Sequence, residues 1–334
     1  MSEAATQPLS PAGRSRVGDS RPGEGVAPSP DVSLSLTRSA ADATDSTSPH
    51  RGEGLRRASF LRRFLRHPGT LLGLAVLLLV VAAAVAAPFW FPQSPWRMVA
   101  RPFLAPGASP RFLLGTDALG RDVASGLTHG ARVSLAIGVV STAAALLIGV
   151  PLGALAGYLG GRVDDAVTRF TELFQTIPSF ALAIVVVAIL QPSIGSIVLA
   201  IALVSWPPVT RLVRGEVLSL RSRDYVQAAV TLGTRTPAII AREVLPNTIA
   251  PIIVMASLMI ATAILLESSL SFLGLGDPNL MTWGYMVGAG RTRLIEAWWI
   301  SFFPGLAIFL TVLALNLVGE GLSDALNPRL ARER

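Results

Sequence analysis

Lysine and cysteine are both missing from this 334-residue chain, and all 28 of its basic residues are arginine. Without lysine there is no Walker A loop, because Gly-x-x-x-x-Gly-Lys-Ser/Thr needs that side chain on the nucleotide phosphates. Without cysteine, disulfides, thiolate metal sites and a cysteine nucleophile are all excluded. Histidine is scarce too, and His50, His67 and His129 are too scattered to suggest a metal centre. Charged residues make up 15% against 51% hydrophobic, and the mean hydropathy is +0.56. That balance lies far from a soluble domain. Paired carboxylates, a nucleophile constellation and a phosphate loop are likewise absent. The stretch Gly115 to Asp122 has acidic residues, but their spacing does not fit an EF-hand loop. The expectation is a non-catalytic chain that binds no cofactor of its own. A net charge of +7 could point to nucleic acid, yet the arginines cluster beside apolar runs and not along one soluble face. Membrane topology accounts for them better, and nucleic acid is not expected as a partner.

What the chain has is long apolar runs. Residues 1–54 are rich in Ser, Pro, Gly, Ala and Asp without apolar periodicity, and are expected to be a disordered cytosolic tail. Residues 55–91 follow as an amphipathic lead-in, with Arg56, Arg57, Arg62, Arg63 and Arg66, and a first span from Thr70 to Phe91. Phe89, Trp90 and Phe91 fit an interfacial aromatic belt. Ala84-Val85-Ala86 has the look of a signal-peptidase site, but the preceding tail is far too long for a signal n-region. Residues 92–132 are expected as an external loop, and residues 133–330 as a core of five further spans. The second span, Val133 to Leu159, carries Gly149, Gly153 and Gly157 at spacing four, so a neighbouring helix can approach closely. Pro178 to Val209 is uncharged over about 32 residues, or about 48 Å as one helix against a hydrocarbon core of about 30 Å. It therefore reads as two spans, broken at Gln191-Pro192-Ser193 and Gly195. Thr248 to Leu266 and Trp298 to Val318 complete six. The fold class is all-α, a polytopic membrane helix bundle.

Arginine bias orients it. The lead-in and the loop 211–247, with Arg211, Arg214, Arg221, Arg223, Arg235 and Arg242, are dense in arginine, whereas the loop after the fifth span holds only Arg291 and Arg293. The dense sides go inside, which places both termini in the cytosol. Arg97, Arg101, Arg111, Arg121 and Arg132 in the first external loop run against the rule.

Within the loop 211–247, Tyr225, Ala228, Ala229 and Leu232 fall at i, i+3, i+4 and i+7, so a short helix carries an apolar stripe. Gly233 suits the left-handed position that ends it, and Thr236-Pro237 reads as N-cap and first residue of a second helix that Pro246 stops. An apolar helix displayed in water by a membrane protein docks on a partner. The pattern of Gln227-Ala228-Ala229, then Gly233, then Leu245-Pro246 resembles the cytoplasmic coupling loop of permease subunits of ABC importers. Leu114-Gly-Thr-Asp-Ala-Leu-Gly-Arg-Asp122, Gly130-Ala-Arg-Val-Ser-Leu135, Ala156-Gly-Tyr-Leu-Gly-Gly161, Leu270-Ser-Phe-Leu-Gly-Leu-Gly276, Trp283-Gly284, Ala297-Trp-Trp299, Phe303-Pro-Gly305 and the run from Asn316 to Arg329 narrow this further. Together they resemble the C-type permease of dipeptide, oligopeptide and nickel importers, within the binding-protein-dependent transport inner-membrane component family. The resemblance covers about Leu55 to Leu330, leaving out the tail and much of residues 92–110.

That resemblance implies a type I importer permease in the plasma membrane that forms half of a translocation pathway for peptides. Its partners would be a second homologous permease subunit, two cytoplasmic ATPase subunits that use ATP and magnesium, an external substrate-binding protein and the lipid bilayer. The residues meeting the ATPase would be Tyr225, Gln227, Ala228, Ala229, Leu232, Gly233, Arg242, Leu245, Pro246 and Asn247, with Gly233 and Pro246 as a rigid hinge. Where the family usually has glutamate this chain has Gln227, which drops a charge; Glu320, Ser323 and Asn327 replace the usual Asp, Arg and Asp. Glu267, after Ile264-Leu265-Leu266, is expected at a subunit interface or watery path, or paired with an arginine, because a bare charge in a span costs roughly 2.5–3.5 kcal/mol. Asn316 is expected to hydrogen-bond a neighbouring helix. A nickel or other small-solute permease is the second reading within the family. A self-sufficient secondary transporter or channel would show inverted repeats, and none is visible. A membrane scaffold without transport leaves the docking loop unexplained.

Overall fold

The computed structural model describes residues 64–326, residue 66 excepted. The expected tail, most of the arginine lead-in and the end of the C-terminal signature, with Asn327 and Arg329, lie outside the described residues. Ten helices follow one another: α1 Pro68–Trp90, α2 Val123–Leu159, α3 Gly161–Thr176, α4 Ser179–Leu190, α5 Ile194–Arg221, α6 Asp224–Thr231, α7 Thr236–Ile239, α8 Leu245–Phe272, α9 Trp283–Gly290 and α10 Trp299–Leu326. Among the described residues the only β pairing is two isolated bridges. Five helical runs are long and apolar enough to cross a bilayer, α1, α2, α5, α7 continued into α8, and α10; a sixth span results if α3 and α4 count as one.

The bundle is built on small residues. Gly149, Gly153 and Gly157 line the face of α2 that meets α5, where a Cβ on Gly149 would stand 2.6 Å from the Val209 Cβ and one on Gly157 would stand 2.7 Å from the Arg214 carbonyl oxygen. Nothing larger than glycine fits there, so α2 and α5 meet backbone to backbone. The Thr210 hydroxyl adds a bond to the Gly149 carbonyl at 3.2 Å. Trp206, Val209, Val213 and Val217 of α5 then continue as one buried cluster toward the α6 end of the bundle.

Several span limits differ from those expected. The second helix starts at Val123, ten residues before the expected Val133, so the external loop ends at Asp122, whose side chain caps the helix by accepting from the Ala124 N–H at 3.0 Å. Its first turns look like loop because they are polar, yet their polar groups are partnered: the Thr128 hydroxyl donates to the Ala124 carbonyl and His129 Nε2 lies 3.0 Å from the Phe91 carbonyl. The break at Gln191 falls where expected. Gln191 takes φ +65°, and Ser193 and Ser196 form a reciprocal capping box that starts α5. The helix before the break is short, however, since 12 residues reach only about 18 Å. It joins the amphipathic α3 across an 82° bend. After the break, α5 runs on to Arg221 and carries Arg211 and Arg214 with it.

The segment between α1 and α2 folds without regular structure. Thr116 is its buried pivot: its hydroxyl donates to the Arg101 carbonyl at 2.7 Å and accepts from the Leu104 N–H at 2.9 Å. Its own carbonyl accepts from Trp299 Nε1 at 3.1 Å. Arg121 lies over the Trp96 ring at 4.6 Å and donates to the Tyr285 hydroxyl at 3.3 Å.

Candidate docking site

At the far end of α5 the chain turns back twice, and each turn has a local cause. Arg221 ends α5, and Asp224 opens α6 in its first turn, where a carboxylate suits the helix dipole. Gly233 has φ +73°, and its N–H bonds the Val230 carbonyl at 2.9 Å while the Thr234 N–H bonds the Ala229 carbonyl at 3.1 Å. That pair of bonds is a Schellman motif with glycine at its left-handed position, as expected from the sequence. A Cβ at Gly233 would meet nothing within 4 Å. The constraint on this residue is thus backbone conformation and not space.

The second turn departs from expectation. Arg235, not Thr236, is the N-cap of α7, without a side-chain cap bond, and Pro237 sits in the first turn. Pro246 does not stop the second helix either. Residues Ile240–Val244 widen into a π turn in which the Leu245 N–H reaches the Ile240 carbonyl, and the helix continues into α8 with Pro246 in its first turn. Because Pro246 has no N–H to give, an extra residue in the turn before it lets the ring pass without losing the helix. The docking loop is therefore rigidly continuous with a membrane span.

Burial separates two faces of α6. Val226 is fully buried and joins Val213, Val217, Ile239, Ile240 and Val244 in one cluster. Tyr225, Ala228 and Leu232 point away from it, and Leu232 is 84% exposed. Ala229 lies between the two faces, packed against the cluster. Arg242, Pro246 and Asn247 are exposed on the second arm, with Leu245 half-buried. The Asn247 carboxamide donates to the Glu243 carbonyl at 2.6 Å. Gln227 Nε2 donates to the Arg221 carbonyl at 2.8 Å, tying α6 to the last turn of α5. Val226 was outside the stripe expected from the sequence; its spacing of three to Ala229, which packs against the same cluster, is the signal for an inner face. Nearby, the Arg214 guanidinium grips the Asp164 carboxylate of α3 at both oxygens, with one arm at 2.7 Å. This ties the bent α3 to α5.

Glu267 is placed elsewhere and otherwise than expected. It is fully buried in α8 and has no arginine partner among the described residues. Its Oε1 accepts from the Ser271 hydroxyl at 2.7 Å, and Ser268 faces Oε2 at 3.4 Å. Serines one helical turn and one residue away, together with Thr282 at the start of α9, satisfy the carboxyl with neutral donors. Asn316 lies on the surface of this chain. It is exposed on α10, in the stripe Phe302, Leu306, Phe309, Leu313, Asn316 and Glu320, without a side-chain bond to another helix among the described residues of this chain. Among the described residues no group of His, Cys, Asp and Glu could hold a metal ion.

Fold and site together define a multi-pass membrane protein with a short helix, between two of its spans, that leaves an apolar face exposed. The family model for the binding-protein-dependent transport system inner membrane component matches residues 149–332, and that for the N-terminal transmembrane domain of oligopeptide transport permease C matches residues 57–106. The di/tripeptide transport system permease protein DppC of Pseudomonas aeruginosa is 43% identical over 277 residues, 81% of this chain and 91% of that one. The dipeptide transport system permease protein DppC of Bacillus subtilis is 40% identical over 274 residues, 81% and 85% of the two chains. The glutathione transport system permease protein GsiD of Pectobacterium atrosepticum is 41% identical over 273 residues, 81% and 90%. Among solved structures, the inward-facing MetNI methionine ABC transporter aligns with a TM-score of 0.49 at 15% identity, over 59% of this chain and 96% of that chain. The chain belongs to the binding-protein-dependent transport system inner membrane component family. It is the membrane permease component of an ABC importer.

Proposed function

We propose that this permease forms half of a translocation pathway for short peptides and receives the ATP-driven stroke through α6. The observation that carries the reading is the division of α6 into a buried edge at Val226 and an exposed apolar face at Tyr225, Ala228 and Leu232. A partner pushing on that face moves the Val226 cluster, and with it α5 and α8, as one body. The π turn makes the second arm continuous with α8, so displacement there reaches a span directly. Rigid elements with two packings against a second permease would convert this into inward- and outward-facing states. The partners are two cytoplasmic ATPase subunits, a second related permease and an external binding protein. Both termini and the α6 loop lie in the cytosol. Peptides are the cargo, supported by the peptide and glutathione systems of the relatives. Hydrolysis of ATP belongs to the partner subunits, in keeping with the absence of lysine.

Co-purification with the ATPase subunits tests this directly. The intact complex retains them in fixed stoichiometry, and peptide-loaded binding protein stimulates its ATP hydrolysis; the permease alone hydrolyses none. Retention of no ATPase, or transport driven by an ion gradient in its absence, overturns the reading. Topology has its own test in this cysteine-free chain. A cysteine replacing Ser222 is shielded from an impermeant thiol reagent in intact cells while one replacing Ser109 is labelled, and the reverse pattern sinks the docking argument.

A further inference from the structure

Two cavities meet at one arginine on the flank of α2, at the end of the bundle opposite α6. The lower is an apolar groove of about 550 Å³ between α1 and α2, walled by Val81, Ala84, Val85, Leu135, Val139 and their neighbours. The upper is a cavity of about 190 Å³ whose walls include Trp96, His129 and Asn279. Arg132 lines both. It is exposed and pairs with no carboxylate among the described residues. No aspartate or glutamate lines either cavity.

The depth of Arg132 follows from its neighbours. His129 Nε2 meets the carbonyl of Phe91, the residue after α1, where the exposed Phe89 and Trp90 mark the membrane interface. Arg132 lies three residues further along α2, hence on the same side and about 4.5 Å deeper. An unpaired guanidinium just inside the aromatic belt meets headgroup phosphates and acyl chains and not bulk water. The groove below it takes hydrocarbon, and the smaller cavity above it, with His129 and Asn279 among mostly apolar walls, leaves room for a headgroup beside the guanidinium.

We propose that this flank is a binding site for one anionic phospholipid, with its phosphate on Arg132, its headgroup between His129, Asn279 and Trp96, and an acyl chain in the groove of α1 and α2. Charge selects the occupant: among the residues lining the two cavities Arg132 is the only fixed charge. The groove volume lies within the range of about 300–1,000 Å³ typical of small-molecule sites. The lipid would brace the long polar start of α2 against α1.

Native mass spectrometry of the full-length chain, released from discs containing equal phosphatidylglycerol and phosphatidylcholine, tests the site. The wild type is expected to retain one phosphatidylglycerol with a preference of about fivefold, the gain of one arginine near an anionic lipid. Arg132→Gln abolishes that preference and Arg132→Lys keeps it, which separates lost charge from a damaged fold. Ala136→Phe fills the groove and reduces retention of both lipids. Equal retention of the two lipids by the wild type overturns the proposal, as does an undiminished preference in Arg132→Gln. So does disulfide capture of a cysteine at Ala136 by another protein subunit, because the groove would then be a protein interface. Retention of soluble glycerol phosphate with the preference of the whole lipid would likewise overturn it, leaving an anion site without a chain.

Discussion

The two irregular ends of this bundle solve opposite problems. The segment 92–122 is tied down at both ends of its pivot: the Thr116 hydroxyl satisfies the Arg101 carbonyl and the Leu104 N–H, its carbonyl accepts from the Trp299 side chain of α10, and Arg121 is stacked on Trp96 and bonded to Tyr285 of α9. The loop 222–247 closes on one side only. Val226, Ile239, Ile240 and Val244 pin it to α5, and its other face leaves Leu232, Val230 and Tyr225 exposed. A segment that has completed its own contacts is a cover. One that holds its backbone rigidly and leaves an apolar face open fits the docking role proposed above.

The contrast breaks hardest at Gly233. With φ at +73°, any side chain costs on the order of 1–2 kcal/mol and a β-branched one more, while asparagine tolerates the region. Gly233→Val should therefore lose most transport at normal membrane abundance, and Gly233→Asn should keep it. Since a Cβ would touch nothing there, a loss by both variants equally would show that space and not conformation governs the position. The partner face comes next. Leu232→Glu places a charge on the exposed face and should reduce ATPase retention at least tenfold with an unchanged melting temperature, a hot-spot loss of about 1.4 kcal/mol or more. A drop in melting temperature of the isolated chain would mean that Leu232 packs internally.

How much of this was legible in the sequence depends on the kind of signal. Glycines at spacing four encode close approach directly, and Gly149, Gly153 and Gly157 do meet α5 backbone to backbone. Gly233 was legible for the same reason, because only backbone conformation is at stake. The start of α2 was not, since Thr128 and His129 look like loop until their partners in the previous turn and after α1 are seen. Nor was the fate of Glu267: a search for an arginine partner overlooks Ser271, one helical turn away. Pro246 misled because a proline after a short helix usually marks its end, and the π turn that carries it leaves no trace in composition.

On the closed side the matching change is Thr116→Val, which keeps the shape and removes the hydroxyl. The buried Leu104 N–H and Arg101 carbonyl then lose a partner, at a cost of about 1–3 kcal/mol. Local hydrogen exchange around residues 98–122 should quicken while ATPase retention stays at the wild-type level. Lost ATPase retention in this variant would mean that the two ends are not independent.

The smallest expected effect lies at Gln227, where the family's usual glutamate is absent. Its carboxamide donates to the Arg221 carbonyl at the C-terminal end of α5. An ionised glutamate has no hydrogen to donate and would face a carbonyl at the negative end of a helix dipole. Alanine only deletes the bond, which at this exposed position is worth about 0.5–1.5 kcal/mol at most. If the side chain serves as a tether between α5 and α6, Gln227→Glu should loosen α6 slightly more than Gln227→Ala, read as faster hydrogen exchange over residues 224–231. If the position instead meets a cation on the ATPase, the order reverses in the assembled complex: Gln227→Glu then tightens ATPase retention and Gln227→Ala does not. Measuring both substitutions, in the free permease and in the complex, separates a bond that holds the loop's own shape from one that belongs to its open face.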